Sequence, residues 1–186
     1  MIARRTLLFG TLVAAGCASM RDPAPGMFRA GDGLSVQLDR VWSDFTPSGA
    51  RKLRLLSQNG PALDRLYLAG GLTHGEGMTN RPKDRAAFDA TAGGEVLASF
   101  VAANVDALGF TPPTLSSVRP APFGAVTGQR LDIATSTGDG LAFTGTALVA
   151  RKESRVSVIL FLAAHEHYFA AGLPAVEAIM ASAALA

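Results

Sequence analysis

The chain has 186 residues, 17 basic and 15 acidic side chains, a formal charge of +2 and one cysteine. All the acidic residues follow Cys17, while Arg4 and Arg5 precede it, so a chain cut before Cys17 carries fifteen charges of each sign. That balance, with no dense Lys/Arg run, excludes the basic patch a nucleic-acid binder needs. A single cysteine excludes an internal disulfide and a thiolate metal cluster.

Residues 1–16 read as a targeting segment. Arg4 and Arg5 form a basic start, and "TLLFGTLVAAG" (Thr6 to Gly16) is uncharged. That run is too short to cross a hydrocarbon core, which takes about 20 residues, and small residues close it, as in a secretory signal peptide. Ala14-Ala15-Gly16-Cys17 resembles the lipobox of bacterial lipoproteins, with Ala14 where leucine is commonest. The resemblance implies that the Cys17 thiol takes a diacylglyceryl group and that a peptidase cuts just before it. It further implies a cell-envelope protein held by a lipid anchor and facing the periplasm. Ala18 after the cysteine resembles sorting to the outer membrane in preference to the inner. "RRTLL" also resembles a twin-arginine export signal, but paired arginines are common in ordinary leaders and general secretion is preferred.

Ala18 to Ala30, "ASMRDPAPGMFRA", carries Pro23, Pro25 and Gly26 and reads as a flexible tether, so that residues 17–30 precede a single domain over 31–186. "LSVQLDRVW" (Leu34 to Trp42) alternates apolar and polar residues, as a half-buried strand does. Two apolar runs flank Asn59-Gly60, a hairpin signal because both residues tolerate positive φ. Pro61 lengthens that connection beyond two residues. Leu72 to Asp89 is polar and irregular. In "EVLASFVAANVDALG", Leu97, Phe100, Val101, Val105 and Leu108 share one helical face, and Gly109 supplies the stop.

Four strand-like runs follow: Leu115 to Arg119, Ala125 to Ser136, Leu141 to Arg151, and Arg155 to Ala163. Gly138-Asp139-Gly140 and Lys152-Glu153-Ser154 make turns between them. "VSVILFLAA" is apolar on both parities and predicts a central strand covered on both faces. The last helix is predicted to begin near Pro174, taken as its first residue, and to bury Val176, Ile179, Met180 and Ala183. The order predicts an α+β fold: one antiparallel sheet of about six to seven strands between two main helices, an α/β/α sandwich. This order, with the closing "VILFLAAHEHYFAAGLPAVEAIMAS", loosely resembles the PsbP-like superfamily. The resemblance implies the architecture and assigns no residue a role.

Candidate sites are few. His165 and His167 would share one face of a continuing strand, with Glu166 on the other. With His74 and Glu76 of "THGEG" they could form a two-histidine, one-carboxylate metal site of a hydrolase, or an acid–base pair. The competing assignment puts both imidazoles where a strand runs out into a loop, exposed or bonded to backbone, and it is preferred. No G-x-S-x-G elbow is present. "GGLTHGEG" has the spacing of neither a P-loop nor a dinucleotide fingerprint; its glycines suit a tight, positive-φ loop, and it is the first place to look for a ligand. Trp42, Phe45, Phe123 and Phe143 read as core. The leading function is therefore a non-catalytic interaction or structural module, with no cofactor and an envelope protein as partner. A carrier or sensor of a hydrophobic small ligand comes second, using space beside Ala98, Ala102 and Ala103. The metal-dependent hydrolase comes third.

Overall fold

A computed structural model describes residues 22–79, 86–93 and 96–186. The expected signal peptide, Cys17 and the first part of the tether lie outside the described residues. The end of that tether is a correction: Gly26–Ala30 is a strand, β1, hydrogen-bonded to β2 (Leu34–Leu38) through the tight turn at Gly31–Gly33. Pro23 and Pro25 stop short of the pairing and do not prevent it. The folded unit thus starts before residue 31.

The remaining elements are β3 (Ser43–Asp44), β4 (Leu53–Ser57), β5 (Asp64–Leu72), α1 (Val96–Ala107), β6 (Thr114–Phe123), β7 (Val126–Ser136), β8 (Ala142–Lys152), β9 (Arg155–Ala164), α2 (Tyr168–Ala181) and β10 (Ala184–Leu185). Seven strands form one antiparallel sheet in the order β3-β4-β5-β9-β8-β7-β6. The other three form a second sheet, β1-β2-β10. The architecture is α+β as expected, but the strand at Leu34 belongs to this second sheet and not to the main one.

β9 is central because both of its parities are apolar. Val158, Leu160 and Leu162 join α1's Leu97, Phe100, Val101 and Val105 in one core. Ile159, Phe161 and Ala163 face the other way, onto α2's Val176, Ile179 and Met180 and onto Leu34, Val36, Leu38 and Trp42. The small sheet therefore shares the second cover layer with α2. Of the aromatics read as core, Trp42, Phe123 and Phe143 are buried and Phe45 is half-buried.

Local chemistry explains the connections. The β4–β5 hairpin forms around Asn59-Gly60, with Gly60 at φ +91°. Its long loop wraps the buried Asp64 carboxylate, which accepts from Ser57 Oγ, Asn59 Nδ2, and the N–H groups of Gln58 (2.9 Å) and Asn59 (3.1 Å). α1 stops where Gly109 takes φ +93°. β6 continues past Arg119 to Phe123, through Pro120 and Pro122. Being at the sheet edge it can hold both, and their shared parity leaves the missing N–H groups facing away from β7.

α2 is the second correction. It begins at Tyr168, so Pro174 lies inside it and not at its first residue. A proline there removes the donor to the Ala170 carbonyl and crowds that oxygen with its ring; Ala170 is exposed, so water can serve it. Stacking of Phe169 on Phe161 (5.9 Å between centroids) fixes the first turn. Farther along, Glu177 takes a two-pronged ion pair from Arg130 of β7, a guanidinium that also donates to Thr146 Oγ1. No helix among the described residues is long and apolar enough to cross a membrane.

Candidate functional site

Gly70 and Gly71 form a bulge just before the last residue of β5, where pairing with β9 skips between Ala69 and Leu72. They are strand residues, and their role is close approach to the β1–β2 turn: Asp32 N–H donates to the Gly70 carbonyl at 3.0 Å. Only the later glycines of "GGLTHGEG" lie in a loop, with Gly75 at φ +81°. That loop is clamped on both sides. Gly75 N–H donates to the Phe88 carbonyl and Phe88 N–H to that of Glu76 (2.8 and 2.7 Å). Buried Asn104 of α1 accepts from Met78 N–H (2.7 Å) and donates to the carbonyls of Ala86 and Phe100.

The clamp frames a cleft of about 260 Å³ lined by Ala50, Lys52, Leu72, Glu76, Met78 and Thr79, among others. Lys52 Nζ lies 2.6 Å from Glu76 Oε2, 3.1 Å from the Gly71 carbonyl and 3.6 Å from Asp32 Oδ2. The same Glu76 oxygen accepts from Thr73 N–H and Thr73 Oγ1. Burial pushes the Glu76 carboxyl up, but the Lys52 ammonium and the two Thr73 donors outweigh it, and the group sits below its ordinary value. A carboxylate held ionised is a poor proton donor near neutrality, and a paired ammonium is a poor nucleophile. The cluster ties the β1–β2 turn, β4 and the glycine loop together.

The sign of this linkage gives a prediction. A depressed carboxyl pKa adds stability above the unfolded value, about 4.3, and that stability is lost as pH falls through the folded value. Wild type should exceed Glu76→Gln in stability at pH 7 by about 0.2–1 kcal/mol, the range for exposed pairs. Urea melts should show the gap closing below about pH 4.3. A gap that widens on acidification would contradict the pairing.

The alternative metal or acid–base set does not assemble among the described residues. His74 and Glu76 follow Leu72, which pairs with Val156 at the start of β9. His165 and His167 follow Ala164 at its other end. Val156 and Ala164 are roughly 26 Å apart at about 3.3 Å per residue, so the two pairs sit at opposite ends of the sandwich. Among the described residues no three His, Cys, Asp or Glu side chains converge. Nor does the strand continue: residues 165–167 form an exposed turn. His165 Nδ1 lies 2.6 Å from Thr144 Oγ1, and the His167 ring meets Tyr168 edge-on. His74 Nδ1 lies 3.3 Å from the Ala90 backbone nitrogen and 3.4 Å from Asp89 Oδ1. Replacing His165 and His167 with Asn should leave metal content unchanged by elemental analysis and stability within about 0.5 kcal/mol.

The interior beside α1 is filled. Phe88 meets Phe100 and Phe110 meets Phe143 edge to face, at 5.8 and 5.2 Å, and Ala98 packs on the same core. The open space lies at the sheet edge, in a groove of about 570 Å³ bordered by Leu97, Val118, Arg119, Gln129 and Arg151. A bulge between Ser116 and Arg119, with Ser117 at φ +51°, leaves Val118 half in solvent. Arg119 pairs with Asp132 at 3.2 Å, whereas Arg151 is held by the carbonyls of Ala90, Ala92 and Glu153. Sequence reasoning missed this groove; its one signal was an isolated valine among the polar residues of "SSVRP".

No protein-family model and no curated protein matches the chain. Among solved structures, the solution structure of cyanobacterial PsbP (CyanoP) from Synechocystis sp. PCC 6803 matches with a TM-score of 0.56, covering 93% of this chain and 99% of its own. The fold is PsbP-like. At 13% identity the likeness to CyanoP establishes the PsbP-like architecture expected from the element order. It transfers no residue role, since one fold hosts unrelated functions.

Proposed function

We propose that the chain is a lipid-anchored cell-envelope module, facing the periplasm, that binds another protein and carries out no catalysis. The observation that carries the binding role is the groove at the α1–β6 edge. There a bulge turns Val118 out of a strand, in a groove it shares with Arg119 and Arg151, and arginine is among the residues enriched at interface centres. The anchor is supported by the place of Cys17, behind an uncharged run and three small residues. Ala18 favours the outer membrane over the inner.

Cys17→Ser tests the anchor. The variant should collect as soluble periplasmic protein or as uncleaved precursor, while wild type stays in the membrane fraction, because two or more acyl chains hold a protein firmly. A variant that remains acylated and membrane-bound would remove the lipoprotein reading. The carrier reading has one supporting observation, since the same groove is of ligand size. Val118→Asp separates the two: loss of a discrete in-cell crosslink points to a protein, and loss of apolar-dye uptake by purified protein points to a ligand.

A further inference from the structure

The two ends of the sandwich differ in chemistry. One end gathers the β1–β2 turn, the glycine loop and the β8–β9 turn, and it carries Asp32, Lys52, Glu76, Lys152, Glu153 and Arg155. The other end is where the described chain begins. A run of contacts marks it: Trp42 N–H to the Pro23 carbonyl, Gln58 Nε2 to the Val41 carbonyl, Ala164 N–H to the Leu63 carbonyl and His165 N–H to the Ala142 carbonyl.

Exposed large apolar side chains collect at this second end. Val41 is 56% exposed, and Leu141, in the β7–β8 turn, is 45% exposed. Met27, 73% exposed, sits one residue into β1. The other exposed large apolar residues among those described, Val96 and Val118, lie apart from these, toward the side of the sandwich where Leu97 and Val118 border a groove with Arg151. Ala170 and Ala171 are exposed in the first turn of α2 and add no charge. The ionic groups here are largely occupied. Asp39 is paired with Arg40, Asp139 is bonded back to Thr137, and the Arg65 guanidinium lies over the Phe110 ring. Asp22, His165, Glu166 and His167 are exposed.

We infer that this end, around Met27, Val41 and Leu141, rests on the bilayer interface. The inference builds on the lipid anchor proposed above. Cys17 lies five residues before Asp22, a reach of at most about 18 Å, so an acylated Cys17 keeps this end, and not the charged one, next to the lipid. Apolar tips there add interfacial contact to the acyl chains. The local charge is neutral to acidic, so the contact is apolar and needs no anionic lipid. The charged end and the α1–β6 groove remain free for a partner.

The test uses lipidated protein in phosphatidylcholine/phosphatidylethanolamine vesicles containing lipids with a nitroxide near the headgroup. Val41→Cys, Leu141→Cys and, at the far end, Ser154→Cys each receive an environment-sensitive fluorophore, since an acylated Cys17 cannot react. Labels at 41 and 141 should be quenched several-fold more than the label at 154, with no change when phosphatidylglycerol is added. Equal quenching at all three sites, or more at 154, overturns the inference. Flotation with the vesicles reports on the anchor separately. Protein that floats without the quenching difference keeps the anchor and loses this orientation, and protein that fails to float loses both. Labels at 41 and 141 that are shielded in native envelopes but unquenched in vesicles would show a protein covering this end, which also overturns it.

Discussion

Gly70→Ala is expected to destabilise the protein by about 2–4 kcal/mol, a large share of the roughly 5–15 kcal/mol typical of a domain. Gly70 is not in the left-handed region, so the cost is steric. A β-carbon built there would lie 2.1 Å from the Ala30 carbonyl oxygen and 2.8 Å from Leu34 Cβ. Neither atom belongs to a flexible side chain that could swing away. The β1–β2 turn must lift off β5, which breaks the hydrogen bond from Asp32 N–H and loosens the small sheet. Overpacking of this kind costs about 1–3 kcal/mol, and the lost hydrogen bond adds about 1 kcal/mol. Gly75→Ala is the control. Its φ is +81° with nothing within 4 Å, so only the left-handed strain remains, about 1–2 kcal/mol. Urea denaturation should rank Gly70→Ala well above Gly75→Ala. A Gly70→Ala variant as stable as wild type would mean that the two sheets are not joined through this contact.

That junction shows where sequence reading reached its limit. "GG" reads equally well as a loop or as a close approach, and only the partner backbone at 30–32 decides between them. Local patterns were legible: the Asn59-Gly60 hairpin, the α1 stripe with its Gly109 stop, and the doubly apolar β9. Each depends on residues near in sequence. β1 was hidden because Pro23 and Pro25 precede it, Gly26 opens it, and it has only one fully buried residue, Ala30. β6 was cut short at Pro120, since its edge position, which tolerates proline, cannot be seen from the sequence. β10 was hidden because its pairing partner, Ser35 for Ala184, lies at the far end of the chain.

The candidate site divides in the same way. Glu76 and the glycine loop were legible as unusual, but their clamp, Asn104, was not singled out. Its signal was present: a polar residue at the buried phase of an otherwise apolar stripe, beside Val101 and Val105. Lys52 and Arg130 had no such signal, because each meets its partners through strand pairing or helix docking, and Asp64 had none because the loop that wraps it takes its shape only when the hairpin forms. The histidine set, the assignment not preferred, turned on a long-range pairing. The strand end near Ala163 was legible, but nothing revealed that Leu72 pairs with Val156, so that β9 separates the two pairs by its full length.

Ile179→Ala is expected to cost about 2–5 kcal/mol, the range for truncating a buried isoleucine. Ile179 is fully buried, on the face of α2 that meets Trp42, Leu66, Ile159 and Phe161. The surrounding strands are fixed on both sides by their ladders, so the site cannot collapse easily and the upper half of that range is expected. Two polar ties hold the helix in register: Arg130 to Glu177, and Gln37 N–H to Ser182 Oγ, whose own hydroxyl donates back to the Ile179 carbonyl. These ties align α2, whereas its apolar stripe supplies most of the attachment. Glu177→Gln should therefore cost less, about 1 kcal/mol, since Glu177 is half exposed and its charge is screened. Because α2 starts at Tyr168, the informative truncation ends at Glu166 and removes the whole helix with β10. That fragment should be insoluble, since it uncovers Ile159, Phe161 and Ala163 and leaves β2 with one partner. A stable, soluble, monomeric fragment would show instead that the small sheet alone covers this face. In that case α2 is not part of the core, and its apolar stripe is free to bind.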